Sequence, residues 1–592
     1  MDMFKDYIDV FTSLYQLNTR DEGEISKLYA IIKKILIELN LFSPKDIIDV
    51  VSKAIKYNNR YYRSYLALLK LIYEEYPLTK NKYLDKFISY NMLKEYGIDL
   101  PHIATLCCSE SECLFDLFKE NTIYKAILED NKESFIFFIE NDGFNPKKNL
   151  IHFLFPDSHL TLLELCCYYG SVGCFKLLRT KFNSKITSSC LTYSFLGGNP
   201  EIMSECLKYQ KPNKDCMKYA IISHNIDFVT FLVNEFNIQI DLEHCEYYNN
   251  LHAYLVYLDK TNDINTCFVY SPDFRSLSLC KYFVSVGVDV NAIVADEFAL
   301  YRAVRYSKDF AEFLIANGAN VNETVNSTKP ALHNAIFFSN LEVVKLLISN
   351  GADVNAKIFD KRTPAHEASK YGRNTEILEF LCIHGADINA KDKQKITPLH
   401  LTLLFPNLAN ADVLLYHGAN IEAPDSFGHT PIFWCSDKEF TEFFIAHGAN
   451  INARDVKGQS PLQYAIKCNR NEKAEMLISY GADVNAQDLK GRTALHYASR
   501  AKNKDMIKYL ISHGADVNIK DNQGASYLDY KVIYKYSNPR DISSDYEAYL
   551  NDEDEEEEED EEEYEEDEDF FDFSEENSLF WTIVAKSLNI KV

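Results

Sequence analysis

One phrase recurs along the second half of the chain. Residues 513–521 read HGADVNIKD, and near-copies stand as YGADVNA at 480, HGANINA at 447, HGANIEA at 417, HGADINA at 384, NGADVNA at 350, NGANVNE at 317 and VGVDVNA at 286. Their glycines, at 287, 318, 351, 385, 418, 448, 481 and 514, are spaced by 31, 33, 34, 33, 30, 33 and 33 residues. Such a period, held over this many copies, narrows the architecture to small supersecondary units that stack and share a core with their neighbours. A chain of 592 residues is also longer than one compact core organises.

The last full copy, DLKGRTALHYASRAKNKDMIKYLISHGADVN at 488–518, shows what each unit builds. Asp488 and Gly491 bracket a tight turn, Thr493 offers an N-cap oxygen, and Leu495 and Ala498 form the apolar stripe of a short helix. Ile507, Leu510 and Ile511, at i, i+3 and i+4, mark a second helix, which ends where Gly514 accepts a left-handed conformation. Sister copies place proline directly after the cap, at Thr363-Pro364, Thr397-Pro398, Thr430-Pro431 and Ser460-Pro461, where its missing N–H costs nothing. Two departures stand out. Lys361 and Lys395 occupy the turn-glycine slot, and the copy TPIFWC from Thr430 is about three residues short. Pro406 should stop the helix before it, so irregular stacking is expected between 400 and 450.

The pattern D-x-x-G-x-T-P-L-H-x-A, seen as Thr397-Pro398-Leu399-His400 and as Thr493-Ala494-Leu495-His496-Tyr497-Ala498, resembles the ankyrin repeat family, over about residues 270 to 530. The resemblance implies an all-α solenoid of helix-turn-helix units with β-hairpin-like loops. The amino-terminal half keeps the two-helix rhythm at tighter spacing, without the GADVN loop: YKAILEDNKESFIFFIEN at 124, TLLELCCYYGSVGCFKLL at 161, LTYSFLGGNPEIMSECL at 191 and MKYAIISHNIDFVTFLVNEF at 217. It resembles the domain of unknown function found ahead of ankyrin arrays in large protozoan protein families. The expected organisation is an amino-terminal helical region at 1–100, diverged ankyrin-like repeats at 101–270 and ankyrin repeats at 271–535. An acidic disordered linker at 541–569 and an amphipathic segment at 570–592 follow. Within the first region, Ser43-Pro44-Lys45-Asp46 reads as a capping box with proline in its first turn.

Formal net charge is −26, yet residues 552–569 hold 17 of the 88 acids; the remaining 71 acids face 62 bases. The acidity is mostly one local run, of the wrong sign for binding nucleic acid. No run of 18 uncharged apolar residues suggests a membrane span, and MDMFKDYIDVF lacks the order of a secretory signal. A cytoplasmic or nuclear monomer is the expectation. The 15 cysteines are scattered, without a CxxC pair, and the closest group, Cys107, Cys108 and Cys113, lacks a partner pair. Buried reduced thiols are expected, with no metal and no cofactor.

Catalysis finds no support. His333, His366, His400 and His496 share one position of the first helix, and His384, His417, His447 and His513 all precede the loop glycine. Groups that recur once per unit serve the unit, and no GxSxG, HExxH, P-loop or GxGxxG occurs. The resemblance implies instead a protein-protein interaction scaffold, binding on the concave face made by turn tips and the exposed side of each first helix. On that face the expected partner-binding residues are Phe359, Arg362, Lys370 and Tyr371; Lys393, Phe405 and Phe427; and Lys457, Lys467, Lys490, Arg492 and Arg500. Basic and aromatic side chains suit an acidic, partly apolar partner. The chain's own tail, with Leu579, Phe580, Ile583 and Val584 at helical spacing beyond the acidic run, could compete for it. An alternative reading is a substrate-recognition subunit or effector that recruits a partner to an enzyme such as a ubiquitin ligase.

Overall fold

The computed structural model describes residues 4–77, 86–98, 121–141, 143–147, 149–151, 155, 159–325, 329–370, 375–435 and 438–530. The acidic run, the segment after it, the cysteine group at 107–113 and Tyr371 lie outside the described residues. The chain divides into two compact units, Met1–Ala319 and Asn320–Val592.

In the second unit, each period is a pair of short helices, for example Pro398–Leu404 with Leu408–Tyr416, and Ala494–Arg500 with Lys504–Ser512. The recurring phrase is explained side chain by side chain. Gly351, Gly385, Gly448, Gly481 and Gly514 take positive φ near 87°, as a left-handed helix end requires. Ala352, Ala449, Ala482 and Ala515 after them are buried and Ala386 half-buried, and the aspartate oxygen accepts the N–H two residues on, as from Asn355 to Asp353 at 2.8 Å. The asparagine then clamps the next copy. Asn485 Nδ2 donates to Gly514 O at 3.0 Å while its Oδ1 accepts from Asp516 N at 2.7 Å. Asn322 and Asn355 do the same to Gly351 with Asp353 and to Gly385 with Asp387. Each copy therefore carries half of its neighbour's loop.

The first-helix histidines have a similar reach. Thr397 N donates to His400 Nδ1 at 3.2 Å, which leaves the ring proton on Nε2, 3.2 Å from His429 O in the next copy. His366 and His496 repeat the arrangement, bridging to Ile396 O and Ala525 O. In the copy at 460, Gln463 replaces histidine with the same donor and acceptor order: Ser460 N donates to its Oε1 at 2.8 Å, and its Nε2 donates to Arg492 O at 2.7 Å.

Two expectations need correction. Pro406 falls beyond the end of Pro398–Leu404, a helix as long as Pro364–Lys370 and Pro461–Lys467, so it interrupts nothing. The irregularity is confined to the short copy, whose first helix is only Pro431–Trp434. Lys473, 2% exposed, reaches into the gap and donates to the carbonyls of Ile432, Phe433 and Cys435 at 2.8, 2.9 and 2.8 Å. A buried cation thus satisfies the carbonyls that a longer helix would have bonded internally. Ile511, assigned above to the apolar stripe, is exposed, while Met506 and Leu510 carry the buried face. The last copy has no described successor for that side chain to pack against.

The first unit continues the helix pairs backward, through Ile123–Leu128 with Lys132–Ile139 and Leu162–Tyr169 with Val172–Phe182, to Leu251–Thr261 and beyond. Three of its second helices end on asparagines in the left-handed conformation, Asn183, Asn237 and Asn262, in place of the loop glycine. Among the described residues, strands are confined to two small antiparallel pairs, Asn149–Ile151 with His159–Thr161 and the two-residue hairpin Ile293–Val294 with Glu297–Phe298. The amino-terminal residues form helices at Lys5–Tyr15, Glu22–Ile32, Pro44–Tyr57 and Tyr62–Glu75, with the capping box at Ser43 and Asp46 in place. At the far end of the pairs, Arg302 lies buried among Asp273 (2.6 Å), Glu246 and Glu297, with its guanidinium 3.9 Å from the Tyr270 ring.

Candidate partner-binding surface

The first-helix side of the repeats is treated differently in the two units. In the first unit it carries a run of aromatic rings: Tyr168 to Tyr193 at 6.1 Å between centroids, and Tyr193 to Tyr219 at 5.5 Å. The amino-terminal helices cover it. Tyr57 packs edge-on against both Tyr219 and Tyr248, and its hydroxyl meets that of Tyr248 at 2.9 Å. Tyr15 stacks on His224 at 4.3 Å, and Tyr168 and Tyr169 donate to Lys56 O and Asn59 Oδ1. Gln16 donates to Ser223 O and His224 O, and Arg275 pairs with Asp46 at 2.6 Å. Burial pulls the His224 imidazole down to about 3, so this packed seam holds it neutral.

Counted from the helix cap, Tyr168 and Tyr169 hold the positions that Lys370, Lys467 and Arg500, and the residues after them, hold in the second unit. The described residues place no comparable helices over that side there. The turns project in a row, each joined to the next by one backbone hydrogen bond: Lys393 N to Asp360 O, Ser426 N to Gln394 O, Val456 N to Phe427 O and Leu489 N to Lys457 O. Each turn from 392 onward is wound on an aspartate, Asp392, Asp425, Asp455, Asp488 and Asp521, whose side chain is buried and accepts N–H groups two and four residues on. Those carboxylates are consumed inside the turns and offer nothing to a partner.

The expected binding residues sort by exposure. Phe359 (84% exposed), Lys393, Lys457 and Lys490 stand at turn tips, with Lys393 Nζ 3.7 Å over the Phe359 ring. Lys370, Phe405, Phe427, Lys467 and Arg500 are half-buried; Lys370 Nζ lies 5.9 Å from the Phe405 ring. The two tip arginines are engaged with the turns themselves. Arg492, 14% exposed in its side chain, pairs with Asp488 at 2.7 Å and lies over Tyr497; Arg362 pairs with Asp360 at 3.1 Å and faces Asp392 at 3.5 Å. Their guanidinium groups therefore set turn shape first.

Two tip residues were not among those expected. Lys361 and Lys395, noted above only as departures from the glycine pattern, are exposed at the apex of their turns with φ of 62° and 59°. Gly428, Gly458, Gly491 and Gly524 fill the same slot at 78°, 71°, 74° and 82°. A non-glycine residue there costs about 1–2 kcal/mol, and such outliers cluster where function holds them. The substituted slot was visible in the sequence; its strain was not.

No group of three or more metal-ligating side chains converges among the described residues, and the described cysteines are free, all buried except Cys382 and Cys468. No described helix is long and apolar enough to cross a membrane. A cleft between the second helices Val172–Phe182 and Pro200–Leu207 is bridged by its own charges, Lys176 to Glu201 and Arg179 to Glu205.

Comparison with known proteins agrees with this geometry. Ankyrin-repeat family profiles match residues 269–358, 335–382, 407–488, 436–521 and 483–536, and a domain of unknown function (DUF3447) matches 182–257. Inversin of Mus musculus is 28% identical over 133 residues, covering 22% of this chain and 12% of inversin; inversin of Canis lupus familiaris is 27% identical over 132 residues with the same coverage. The chain thus spans about an eighth of the length of those relatives. The ankyrin repeat protein FPV223 of fowlpox virus (strain NVSL) is 29% identical over 126 residues, covering 16% of this chain and 88% of FPV223. The crystal structure of the ankyrin repeat domain of Bcl-3, described as a unique member of the IkappaB family, is 27% identical, covers 35% of this chain and 95% of that domain, and superposes with a TM-score of 0.33.

Proposed function

We propose, for a chain that carries an ankyrin-repeat array behind a DUF3447 domain, that it is a non-catalytic scaffold whose protein partner docks on the turn tips and first-helix side of the second unit. The observation that carries the reading is the contrast between the units. The amino-terminal helices fill the aromatic first-helix side of the first unit, whereas Phe359, Val456 (58% exposed) and Leu489 (71% exposed) stand out from the turns of the second. Exposed apolar side chains interleaved with lysine on a stack held by Asn and His bridges make a preformed surface, so docking orders little of the scaffold. Protein partners, a monomeric scaffold and the absence of catalysis belong to the same reading. In the test, a photo-crosslinking phenylalanine analogue replaces Phe359, Leu489 or, as a control exposed on the first unit, Phe137. Irradiation in native cell extract should give discrete protein adducts at 359 and 489 that are absent at 137. Identical adducts at all three positions would remove the case for a binding face.

A further inference from the structure

The turn tips of the second unit are unipolar. Lys361, Lys393, Lys395, Lys457 and Lys490 are exposed there, and the one carboxylate at a described tip between 359 and 524, Asp360, is held by Arg362. Two of the five lysines occupy left-handed positions where glycine would be easier. Neither turn geometry nor core packing calls for lysine at those slots, since four sister turns close on glycine. An exposed cation row of this kind matches an extended polyanion better than a folded domain, because its charges are spread over four tips, on both sides of the lysine-free turn at 425–429, and not gathered in one patch.

The chain supplies such a polyanion. The last described turn joins the row directly, Asn522 N donating to Lys490 O at 3.0 Å, and 62 residues follow Tyr530. Neighbouring copies sit about 9 Å apart, so the four steps from the tip at 361 to that at 490 span roughly 36 Å. The 18 residues of 552–569 reach about 60 Å when extended. The 21 residues between Tyr530 and the run cover about 25 Å as a flexible linker. The run can therefore start beside Lys490 and pass every tip back to Lys361. We propose that the acidic run 552–569 lies along this lysine row, so that an incoming acidic partner segment must displace it; the inference rests on the reading of the tips as the docking face.

The test is carbodiimide coupling of the full chain, which joins lysine amines to carboxylates only where they touch, read by mass spectrometry as bonds from each lysine to 552–569. Lys504 and Lys508, exposed on the last second helix, report random encounter. The proposal expects coupling at the five tip lysines to exceed that at Lys504 and Lys508 by about fivefold or more at low salt, and to fall to parity near 1 M salt, where charges are screened within roughly 3 Å. Equal coupling at low salt overturns it. A second arm adds a labelled synthetic peptide of residues 551–584 to the full chain and to a chain ending at Arg540, which keeps every described residue. The shorter chain should bind the peptide at least about tenfold more tightly, and glutamine at all five lysines should abolish the difference. Equal affinity for the two chains is the contrary result. Foreign-protein adducts at 359 and 489 without tail coupling would refute the tail contact and keep the docking face; absence of both would refute both.

Discussion

The histidine bridges make the second unit sensitive to mild acid in a way that can be worked out from the structure. His366 and His400 are fully buried, and burial pulls both imidazoles down to about 4, against the bond each makes to a carbonyl of the next copy, which acts to raise them. Nearby charges are minor: Arg362 against Asp360 and Asp387 for the first, His429 and Lys391 for the second. Unfolded, each titrates near 6.5. The folded value is the lower one, so the unfolded chain binds more protons between pH 6.5 and 4. The stabilisation is complete above pH 6.5 and is lost as pH falls through that window. At pH 5.5 each histidine is one unit below its unfolded value, about 1.4 kcal/mol, so the pair removes roughly 3 kcal/mol relative to pH 8. For a unit of this size that is a fall in Tm of about 6–12 °C. Gln463 supplies the control already present in the chain, since it makes both bonds without a titrating group. The double variant His366→Gln/His400→Gln should melt close to the native chain at pH 8 and recover about half of the loss at pH 5.5, because burial also pulls down His333 and His496 of the same unit, read by scanning calorimetry at both pH values. If the variant loses as much as the native chain between pH 8 and 5.5, the histidines are not the acid-sensitive element and the reasoning fails.

Lys473→Met should destabilise the second unit by about 2–4 kcal/mol, since it strips charged hydrogen bonds from three carbonyls at the end of Pro431–Trp434; a shift of the urea midpoint at unchanged slope reports it. Lys361→Gly and Lys395→Gly should each stabilise by about 0.5–1 kcal/mol, the relief of left-handed strain less the added entropy of the unfolded chain. Urea titration measures that gain, and the carbodiimide experiment should show weaker tail coupling in the same proteins. In the first unit, Asp273→Asn leaves Arg302 and Arg305 short of a buried counter-charge and should cost about 3 kcal/mol or more, seen as an early transition on heating.

Much of the architecture was legible because it is local. A left-handed glycine, a capped first helix with proline behind the cap, and a spacing near 33 residues each state a backbone requirement within a few positions. The helical class followed from those requirements; the ankyrin family was recognised by resemblance of the D-x-x-G-x-T-P-L-H-x-A pattern, and the domain ahead of the array by resemblance of its tighter two-helix rhythm. The candidate surface was half legible. Counting from the turn start located Phe359, Lys393, Lys457 and Lys490 at exposed tips, yet it could not tell that Arg362 and Arg492 are bound to turn aspartates, or that Lys361 and Lys395 share the apex. The short copy was visible as a deletion, while its repair by Lys473, about 40 residues downstream, was not.

What the sequence determined by itself is the unit and its repetition, because stacking like on like needs only a rule each copy can carry alone. What the tertiary structure decided is which faces of the stack remain open. Tyr57 meets Tyr248 across 191 residues and Gln16 meets His224 across 208, contacts that no periodicity encodes. They form because the tyrosine-rich first-helix side of the first unit has apolar surface to lose to whatever chain can reach it, and the amino-terminal helices are tethered close by. The turns of the second unit carry lysine at their tips, and a charged row keeps its hydration until an opposite charge replaces it.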